Sequence, residues 1–226
     1  MGTVSDQPAR VRRGRPAQLS RDAVLDAADA ILAAGGVDAV TIRRVADSLG
    51  ASPMALYRHV RDKDDLLLAL VDRLAQRLEF PPLPTDPRAR LLTLWQTLYD
   101  GLAEHSWLPE ILARRRLIAP SVLPAIEEIH VAFEEGGLEL DEAVVAYRVV
   151  WHFTLGALLV RAGFAQDQPS VQDAFRGAPD PHRYPTLAEA ATAWRQAHGR
   201  DTYHADLARL IDALLHQAAP PPANPA

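Results

Sequence analysis

The sequence predicts an all-α protein, with an N-terminal three-helix region that contains a helix-turn-helix and a larger C-terminal helical region. Three observations support this fold class. Apolar residues recur at helical spacing through most of the 226 residues. Ser20, Thr41 and Ser52 each stand where a side chain caps the start of a helix. No two segments show the alternation of polar and apolar residues that paired β-strands show.

Each N-terminal helix also has a signal for its start or its end. The first helix is predicted to stop at the glycine pair 35–36 and the second at Gly50. The third begins at Pro53, because proline fits the first turn of a helix, where its missing N–H costs nothing. A fourth helix is predicted from Asp64 to Leu78, with acidic residues in its first turn.

Four prolines in "FPPLPTDP", residues 80–87, separate the two regions, since proline removes a donor and clashes with the preceding helical turn. The segment 166–185 is rich in proline, aspartate and glycine and predicts a long loop. "APPPANPA" at the C-terminus predicts a disordered tail. The C-terminal helices are predicted at 88–105, 109–118, 121–135, 141–164, 186–198 and 202–217.

Composition excludes several kinds of function. The 48% of hydrophobic residues suffice for a core, and the absence of cysteine removes disulfides, thiolate nucleophiles and cysteine-ligated metals. The formal net charge is −5, but residues 1–63 carry ten basic against seven acidic side chains. A basic N-terminal part before an acidic remainder suits a chain of which one end meets phosphate.

No stretch of about 18 or more apolar residues exists to span a membrane. The N-terminal arginines are not followed by the apolar segment of a secretory signal. These features predict a cytoplasmic protein without a membrane span.

Residues 50–63, "GASPMALYRHVRDK", predict the second helix of a helix-turn-helix. Leu56 and Val60 are four residues apart and share the inner face, while the basic and aromatic side chains point outward. The preceding short helix, through Leu49, braces this helix so that its outer face can enter a DNA major groove. The alternative from the pattern alone is a helical hairpin with a solvated face.

The segment "TIRRVADSLGASPMALYRHVRDKDDLLLAL" closely resembles the DNA-binding domain of the tetracycline-repressor (TetR) family. The resemblance runs from about Ala17 to Leu78. Within it, "LYRHVRDKDDLL" is similar to the family pattern "LYxHFxxKxxLL". The domains expected are a flexible basic arm at 1–16, a DNA-binding domain at 17–78, a helical ligand-binding and dimerisation domain at 88–217, and the tail at 218–226.

The resemblance implies which residues contact operator DNA. By their chemistry, Arg43 and Arg58 suit the O6 and N7 atoms of guanine, whereas hydroxyl groups, imidazole and lysine suit phosphates. Apolar side chains offer contact to a thymine methyl group. The residues implied are Thr41, Arg43, Ser52, Pro53, Met54, Ala55, Tyr57, Arg58, His59 and Lys63.

The N-terminal arm "RVRRGRPAQLS" places Arg12, Arg13 and Arg15 around Gly14 and Pro16. Arginines on an extended arm are able to follow the narrow, more negative minor groove of A·T-rich DNA. The alternative is a tail that only increases solubility.

The predicted helix at 141–164 is apolar on almost all sides, so other helices must cover it. Its uninterrupted apolar part, 149–160, is too short to cross a membrane. Together with the apolar stripe of 202–217 it would form a four-helix homodimer interface, as the TetR family does. Two-fold symmetry then places two recognition helices on a roughly palindromic operator.

"HFTLG", residues 152–156, resembles the tetracycline-binding subgroup, in which this histidine lies beside the drug. The sequence departs from that subgroup at two places. The helix at 109–118 lacks the magnesium-chelating histidine, and Val160 replaces an acidic residue. His152 is therefore either a ligand contact or an ordinary core histidine.

Aromatic and polar residues on these helices predict a small-molecule pocket, with Arg116 as an anchor for an anion. The alternative for each aromatic residue is plain core packing. No phosphate loop or nucleophile elbow is present, which argues against an enzyme, and no cofactor or metal is expected. The predicted ligand residues are Trp95, Tyr99, His105, Trp107, Arg116, Trp151 and His152.

The sequence thus predicts a homodimeric repressor that leaves a palindromic operator when an unidentified small molecule binds. The alternative is a helical small-molecule carrier or cryptic enzyme that keeps the fold without binding an operator. An activator on the same scaffold is a third interpretation.

Overall fold

The structure is a computed structural model that describes residues 19–115, 117–164, 180–197 and 201–217. Within these ranges it contains ten α-helices, one short 3-10 turn and no β-strand, which confirms the all-α fold class. The helices are α1 (Arg21–Ala39), α2 (Ile42–Ser48), α3 (Pro53–Leu56), α4 (Lys63–Ala75), α5 (Pro87–Ala103), α6 (Leu108–Arg115), α7 (Leu123–Glu135), α8 (Leu140–Phe164), α9 (Pro185–Ala197) and α10 (Tyr203–Gln217).

The predicted caps of the first three helices are present. The side-chain oxygens of Ser20, Thr41 and Ser52 accept hydrogen bonds from backbone N–H groups three residues later, at 3.1, 3.1 and 3.3 Å. Gly36 interrupts α1 with φ 69°, and Gly50 turns the chain between α2 and α3 with φ 61°. Both values lie in the left-handed region that glycine adopts without a steric penalty.

Helix α4 differs from the prediction at both ends. It begins at Lys63, because the carboxylate of Asp62 accepts a hydrogen bond from the backbone N–H of Asp65 at 2.8 Å and caps the helix. It ends at Ala75 rather than at Leu78. The next residues turn and then extend toward the prolines, which disfavour helical geometry in the residue before them.

The C-terminal helices lie within three residues of their predicted bounds. The largest difference is the end of α6, at Arg115 rather than 118. A 3-10 turn, Pro120–Val122, precedes α7 where the prediction has α-helix. Most of the predicted loop, the basic arm and the tail lie outside the described residues.

Buried residues form two hydrophobic clusters. The first unites α1 to α4 and also contains Leu108, Ile111 and Leu112 of α6 and Trp107 just before it. The second joins α5, α7, α8 and α10. The prolines at 81–87 therefore separate the helices along the chain but not the cores, because α6 packs into the N-terminal core.

Helix α8 buries only one side. Leu140–Gly163 is long and apolar enough, by length and composition alone, to cross a membrane, with a mean hydropathy of 1.6 over its most apolar window. Core helices of soluble proteins meet the same criteria. Ala146, Val150 and Thr154 face the second core. The other side is exposed at Val144, Val145, Val149, Leu159 and Val160.

Candidate DNA-binding surface and ligand cavity

The helix-turn-helix is anchored by its inner apolar residues. Val45 and Ala46 of α2 and Leu56 and Val60 in and after α3 are buried in the N-terminal core. Leu49, between the two helices, packs against the same core, as predicted. This anchoring holds the outer face of α3 away from the protein, as DNA reading requires.

The outer face of α3 presents large side chains to solvent. Met54 is 76% exposed and Tyr57 is 51% exposed, although burial would stabilise both. Arg58 is also exposed, and its guanidinium has no partner among the described residues. His59 is half-buried beside them. The arrangement leaves one turn of helix with an unpaired cation, an aromatic ring and a thioether available to a partner.

Some predicted DNA residues also have structural partners. The hydroxyl groups of Thr41 and Ser52 cap α2 and α3. Arg43 lies 4.0 Å from the carboxylate of Asp47, one helical turn away, but remains largely exposed. Pro53 is exposed and Ala55 half-buried on α3.

Lys63 makes an internal contact that its sequence position does not indicate. Its ammonium group donates a hydrogen bond of 2.8 Å to the backbone carbonyl of Val37, at the end of α1. An ammonium group has three donors, so this bond leaves two for a phosphate. Lys63 therefore joins the start of α4 to the end of α1.

Two exposed arginines beside the helix-turn-helix are absent from the predicted contacts. Arg44 lies on α2, 3.5 Å from the carbonyl of Ala39. Arg61 follows α3 and pairs with Asp65 at 3.3 Å. The basic N-terminal charge count was the one signal for them. The predicted arm residues Arg12, Arg13 and Arg15 lie outside the described part of the chain.

A cavity of about 920 Å³ lies between α4, α5, α6, α7 and α8. This volume is near the upper end of the range for sites of drug-sized ligands. Four predicted ligand residues, Trp95, His105, Trp151 and His152, line it. Arg116 lies outside the described residues.

The other two predicted ligand residues, Tyr99 and Trp107, have different surroundings. Tyr99 stacks on Tyr203 with ring centroids 3.6 Å apart and donates to the carboxylate of Asp201 at 3.1 Å. Trp107 belongs to the N-terminal core and borders a smaller cleft beside α1. Neither lines the large cavity.

Helix α8 lines the cavity with Tyr147, Trp151 and Leu155, which lie on successive turns. The aromatic pattern of the sequence indicated Tyr147 and Trp151 but not Leu155, for which the spacing of four was the available signal. Leu78 contributes from the segment after α4. Burial raises the pKa of the Tyr147 hydroxyl above its ordinary value, so the group remains protonated at neutral pH.

Charge is unevenly distributed over this wall. The buried lining residues are all uncharged, whereas Arg77, Glu79, Asp100 and Glu104 are exposed at the rim. Within the described ranges, no three His, Asp or Glu side chains are grouped to hold a metal ion.

A polar network joins α10 to α5 and α8. Asp201 accepts hydrogen bonds from Tyr99, from Arg161 at 2.6 Å and from the backbone N–H of Tyr203. Burial acts to raise the pKa of Asp201, but these donors together lower it below its ordinary value. Burial raises the pKa of the Tyr203 hydroxyl. The hydroxyl oxygens of Tyr203 and Thr154 are 2.8 Å apart. The network fixes the start of α10 beside the ligand-cavity helices.

Comparison with known proteins agrees with this geometry. The family model for bacterial regulatory proteins of the tetR family matches residues 24–70. The model for the tetracyclin repressor-like C-terminal domain matches residues 80–217. The fold and the two sites define a helix-turn-helix transcription regulator with a ligand-sized cavity. The chain belongs to the TetR family, and its C-terminal region is of the tetracycline-repressor type.

Two relatives show the extent of the similarity. The chain is 31% identical over 154 residues to the transcriptional repressor DrrR1 of Streptomyces coeruleorubidus, a match that covers 67% of this chain and 57% of that one. The chain thus spans little more than half of DrrR1. It is 29% identical over 204 residues to the class D tetracycline repressor protein of Escherichia coli, covering 86% and 88% of the two chains.

Solved structures share the fold. Apo ActR from Streptomyces coelicolor superposes with a TM-score of 0.76 at 24% identity, covering 89% of this chain and 97% of that chain. ActR in complex with actinorhodin gives a TM-score of 0.75 at 23% identity, covering 90% and 98%.

Proposed function

We propose that the protein is a ligand-responsive transcriptional repressor, active in the cytoplasm, that leaves its operator when a small molecule fills the cavity. One observation carries this proposal: α4 belongs to both sites. Lys63 and Arg73 join it to α1, with Arg73 2.6 Å from the carboxylate of Asp26. Val71 and Leu74 of the same helix line the cavity.

The division of roles on the DNA surface follows from exposure. Arg58, exposed and without a partner among the described residues, is suited to the bidentate contact that reads guanine. Arg43 reads a second base after its loose pairing with Asp47 is broken. Tyr57, His59 and the capping hydroxyl groups contact phosphates and fix the register. The arm at 1–16 adds minor-groove contacts.

Helix α6 transmits ligand binding to the N-terminal domain. Leu108 and Leu112 line the cavity and are also part of the core of α1 to α4. The carboxylate of Asp72 on α4 accepts the backbone N–H of Ser121 at 2.9 Å and joins α4 to the segment before α7. A ligand that binds only the conformation in which the recognition helices are wrongly spaced for the operator lowers operator affinity. The coupling free energy between the two sites is typically about 1–3 kcal/mol.

TetR-family proteins bind operator DNA as dimers. We place the interface of this protein on the exposed apolar side of α8 together with α10. Val145, Val149 and Val160 lie on that side of α8. Gly156, between them, has open space beside it for a neighbouring helix. A second copy covers this surface, and its two recognition helices meet successive major grooves.

DNA binding by the full-length protein tests the proposal. Operators are selected from a random duplex pool and from the region upstream of the gene, and affinity is measured from 50 to 300 mM salt. We expect a palindromic preference and an affinity that falls steeply with salt, because each phosphate contact releases counterions. Compounds that raise the thermal stability of the protein should release the duplex. Binding of such compounds without any specific duplex would instead indicate a carrier.

A further inference from the structure

Two residues that line the cavity have hydrogen-bond donors without a partner among the described residues. Trp95 is fully buried, and its indole Nε1–H has no acceptor in this part of the chain. The hydroxyl group of Tyr147 makes no hydrogen bond within the described ranges. Buried polar groups in native proteins are nearly always paired, so the buried indole N–H of Trp95 indicates a missing acceptor. The Tyr147 side chain is half-buried, and its hydroxyl is available to the same acceptor. Both residues line the same cavity.

The two donors belong to adjacent aromatic rings. The ring centroids of Trp95 and Tyr147 are 5.5 Å apart with planes inclined at 41°, and Tyr147 stacks on His130 at 5.0 Å. Trp151 lines the cavity one helical turn after Tyr147. Flat ligands gain contact with such rings by stacking or edge-to-face packing. Burial raises the pKa of the Tyr147 hydroxyl, so the group is uncharged at neutral pH and is able to donate a hydrogen bond.

The charges oppose an anionic ligand body. Among the described residues the buried wall has no charged side chain, and the rim has the three carboxylates of Glu79, Asp100 and Glu104 against Arg77. Asp100 is 3.2 Å from His204, which leaves two rim carboxylates without a cationic partner in the described chain. An anion would lose its hydration in the apolar interior without finding a paired cation there.

We propose that the cavity binds a flat, largely apolar, non-anionic ligand with a carbonyl or ether oxygen, which accepts hydrogen bonds from Trp95 Nε1–H and the Tyr147 hydroxyl group. The role of this ligand as an inducer rests on the proposed function, but its binding does not. Trp95 and Tyr147 are thus the residues that determine specificity for the oxygen, while the surrounding leucines and aromatic rings accept the apolar body.

Three small probes of nearly equal shape test the proposal with the full-length protein. 9-Fluorenone has a carbonyl oxygen, fluorene lacks it, and 9-fluorenone-2-carboxylate adds a negative charge. Equilibrium dialysis gives each affinity without relying on tryptophan fluorescence, which the variants would alter. We expect fluorenone to bind about tenfold more tightly than fluorene, a difference of about 1.4 kcal/mol. The carboxylate should bind more weakly than fluorenone.

Tyr147→Phe keeps the ring and removes only the hydroxyl, whereas Trp95→Phe removes the N–H together with the five-membered ring of the indole. Tyr147→Phe should weaken fluorenone binding several-fold and leave fluorene binding unchanged, since only the hydrogen bond is lost. Trp95→Phe should reduce the ratio of fluorenone affinity to fluorene affinity. Tyr184→Phe, at an exposed tyrosine outside the cavity, is the matched control and should change neither. Circular dichroism and duplex binding report whether each variant folds, and Tyr147→Phe remains informative if Trp95→Phe does not fold.

Equal affinity for fluorenone and fluorene, a preference that survives both substitutions, or failure to bind either probe would overturn the proposal. Tighter binding of the carboxylate would do so as well, and would favour the Arg116 anion anchor. These outcomes differ from failure of the proposed function. If the protein selects no duplex but discriminates between the probes, the ligand site stands and the repressor role is wrong. If it binds a duplex selectively but does not discriminate between the probes, the repressor role stands and the ligand site is wrong.

Discussion

At the residue scale, Arg58 is the side chain whose surroundings best separate base reading from structural support. It is exposed and unpaired within the described chain, so Arg58→Ala removes no internal contact. We expect the variant to lose roughly 1–3 kcal/mol of operator binding and to relax specificity at one base position. Titrations on operators changed at single positions measure both effects.

Arg183→Ala, at an exposed arginine just before α9 and outside both the DNA-binding surface and the proposed dimer interface, is the control and should leave operator affinity unchanged. If Arg58→Ala weakened binding to all operator variants alike, the side chain would be a phosphate contact, and the base-reading role would be wrong.

Asp65 gives a prediction on pH. Its carboxylate accepts hydrogen bonds from the backbone N–H of Arg61 at 2.8 Å and from its guanidinium at 3.3 Å, and these contacts lower its pKa below 3.8. When folding lowers the pKa of a carboxyl group, the folded state gains stability at every pH above the ordinary pKa of that group. This contribution disappears as the pH falls through the lowered pKa of the folded state. Asp65→Asn should therefore lower the free energy of unfolding at pH 7, and the difference from wild type should shrink near pH 3.

Urea unfolding at both pH values checks this expectation. Asp38→Asn, at an exposed aspartate without a side-chain partner in the described residues, serves as the matched control. A difference between Asp65→Asn and wild type that is the same at pH 3 and pH 7 would show that the charge of Asp65 does not contribute.

Residue roles were predictable from the sequence where they depend on local pattern. The caps Thr41 and Ser52 and the inner position of Leu56 follow from neighbours within four residues, and all three are confirmed. The bond from Lys63 to the Val37 carbonyl was not predictable, because the fold brings together groups 26 residues apart and the acceptor is backbone. A backbone carbonyl that accepts a hydrogen bond is present in every residue, so the residue types in the sequence do not indicate it.

At the scale of elements, the segment after α4 packs closely on α5 at Gly101. A Cβ atom added there would overlap the Cδ2 atom of Leu78. Overpacking costs about 1–3 kcal/mol, whereas alanine in place of glycine inside a helix gains about 1 kcal/mol. In the wild type, we expect Gly101→Ala to leave the free energy of unfolding unchanged or to lower it. In the Leu78→Ala variant, the same substitution should raise the free energy of unfolding by about 0.5–1 kcal/mol relative to Leu78→Ala alone.

A double-mutant cycle by urea denaturation measures this coupling. Additive effects of the two substitutions would mean that Leu78 moves aside without cost and that the two elements are not in firm contact. A measured coupling instead identifies this contact as one route from the cavity wall to α4.

Element boundaries followed from the sequence where proline or a capping residue fixed them, as at Pro53. The assignment of elements to cores did not. α6 packs with the N-terminal helices although it follows the prolines, because its residues Leu108, Ile111 and Leu112 join the apolar core of α1 to α4. Hydrophobic periodicity shows that a face is buried but not which helices bury it.

At the scale of the whole molecule, the cavity was the part least accessible to sequence reasoning. Aromatic residues on α5 and α8 indicated a pocket, but the same pattern is typical of a packed core. Trp95 lines the cavity, whereas Tyr99, four residues later, is in a hydrogen-bonded stack with Tyr203. The two differ in which helix lies opposite, and that is a property of the assembled fold.

Dimerisation supplies the last prediction. Val149 is 39% exposed on the open side of α8, and two-fold symmetry would place its two copies close together. Val149→Asp buries a charge against an apolar surface and opposes it to a like charge, so we expect monomers in sedimentation velocity. Because each monomer then binds one half-site without a second, linked subunit, affinity for a palindromic operator should fall by more than about tenfold, while half-site binding is retained.

Leu123→Asp, at a leucine 52% exposed on α7, is the control and should leave the dimer intact. A dimeric Val149→Asp protein would move the interface to another surface.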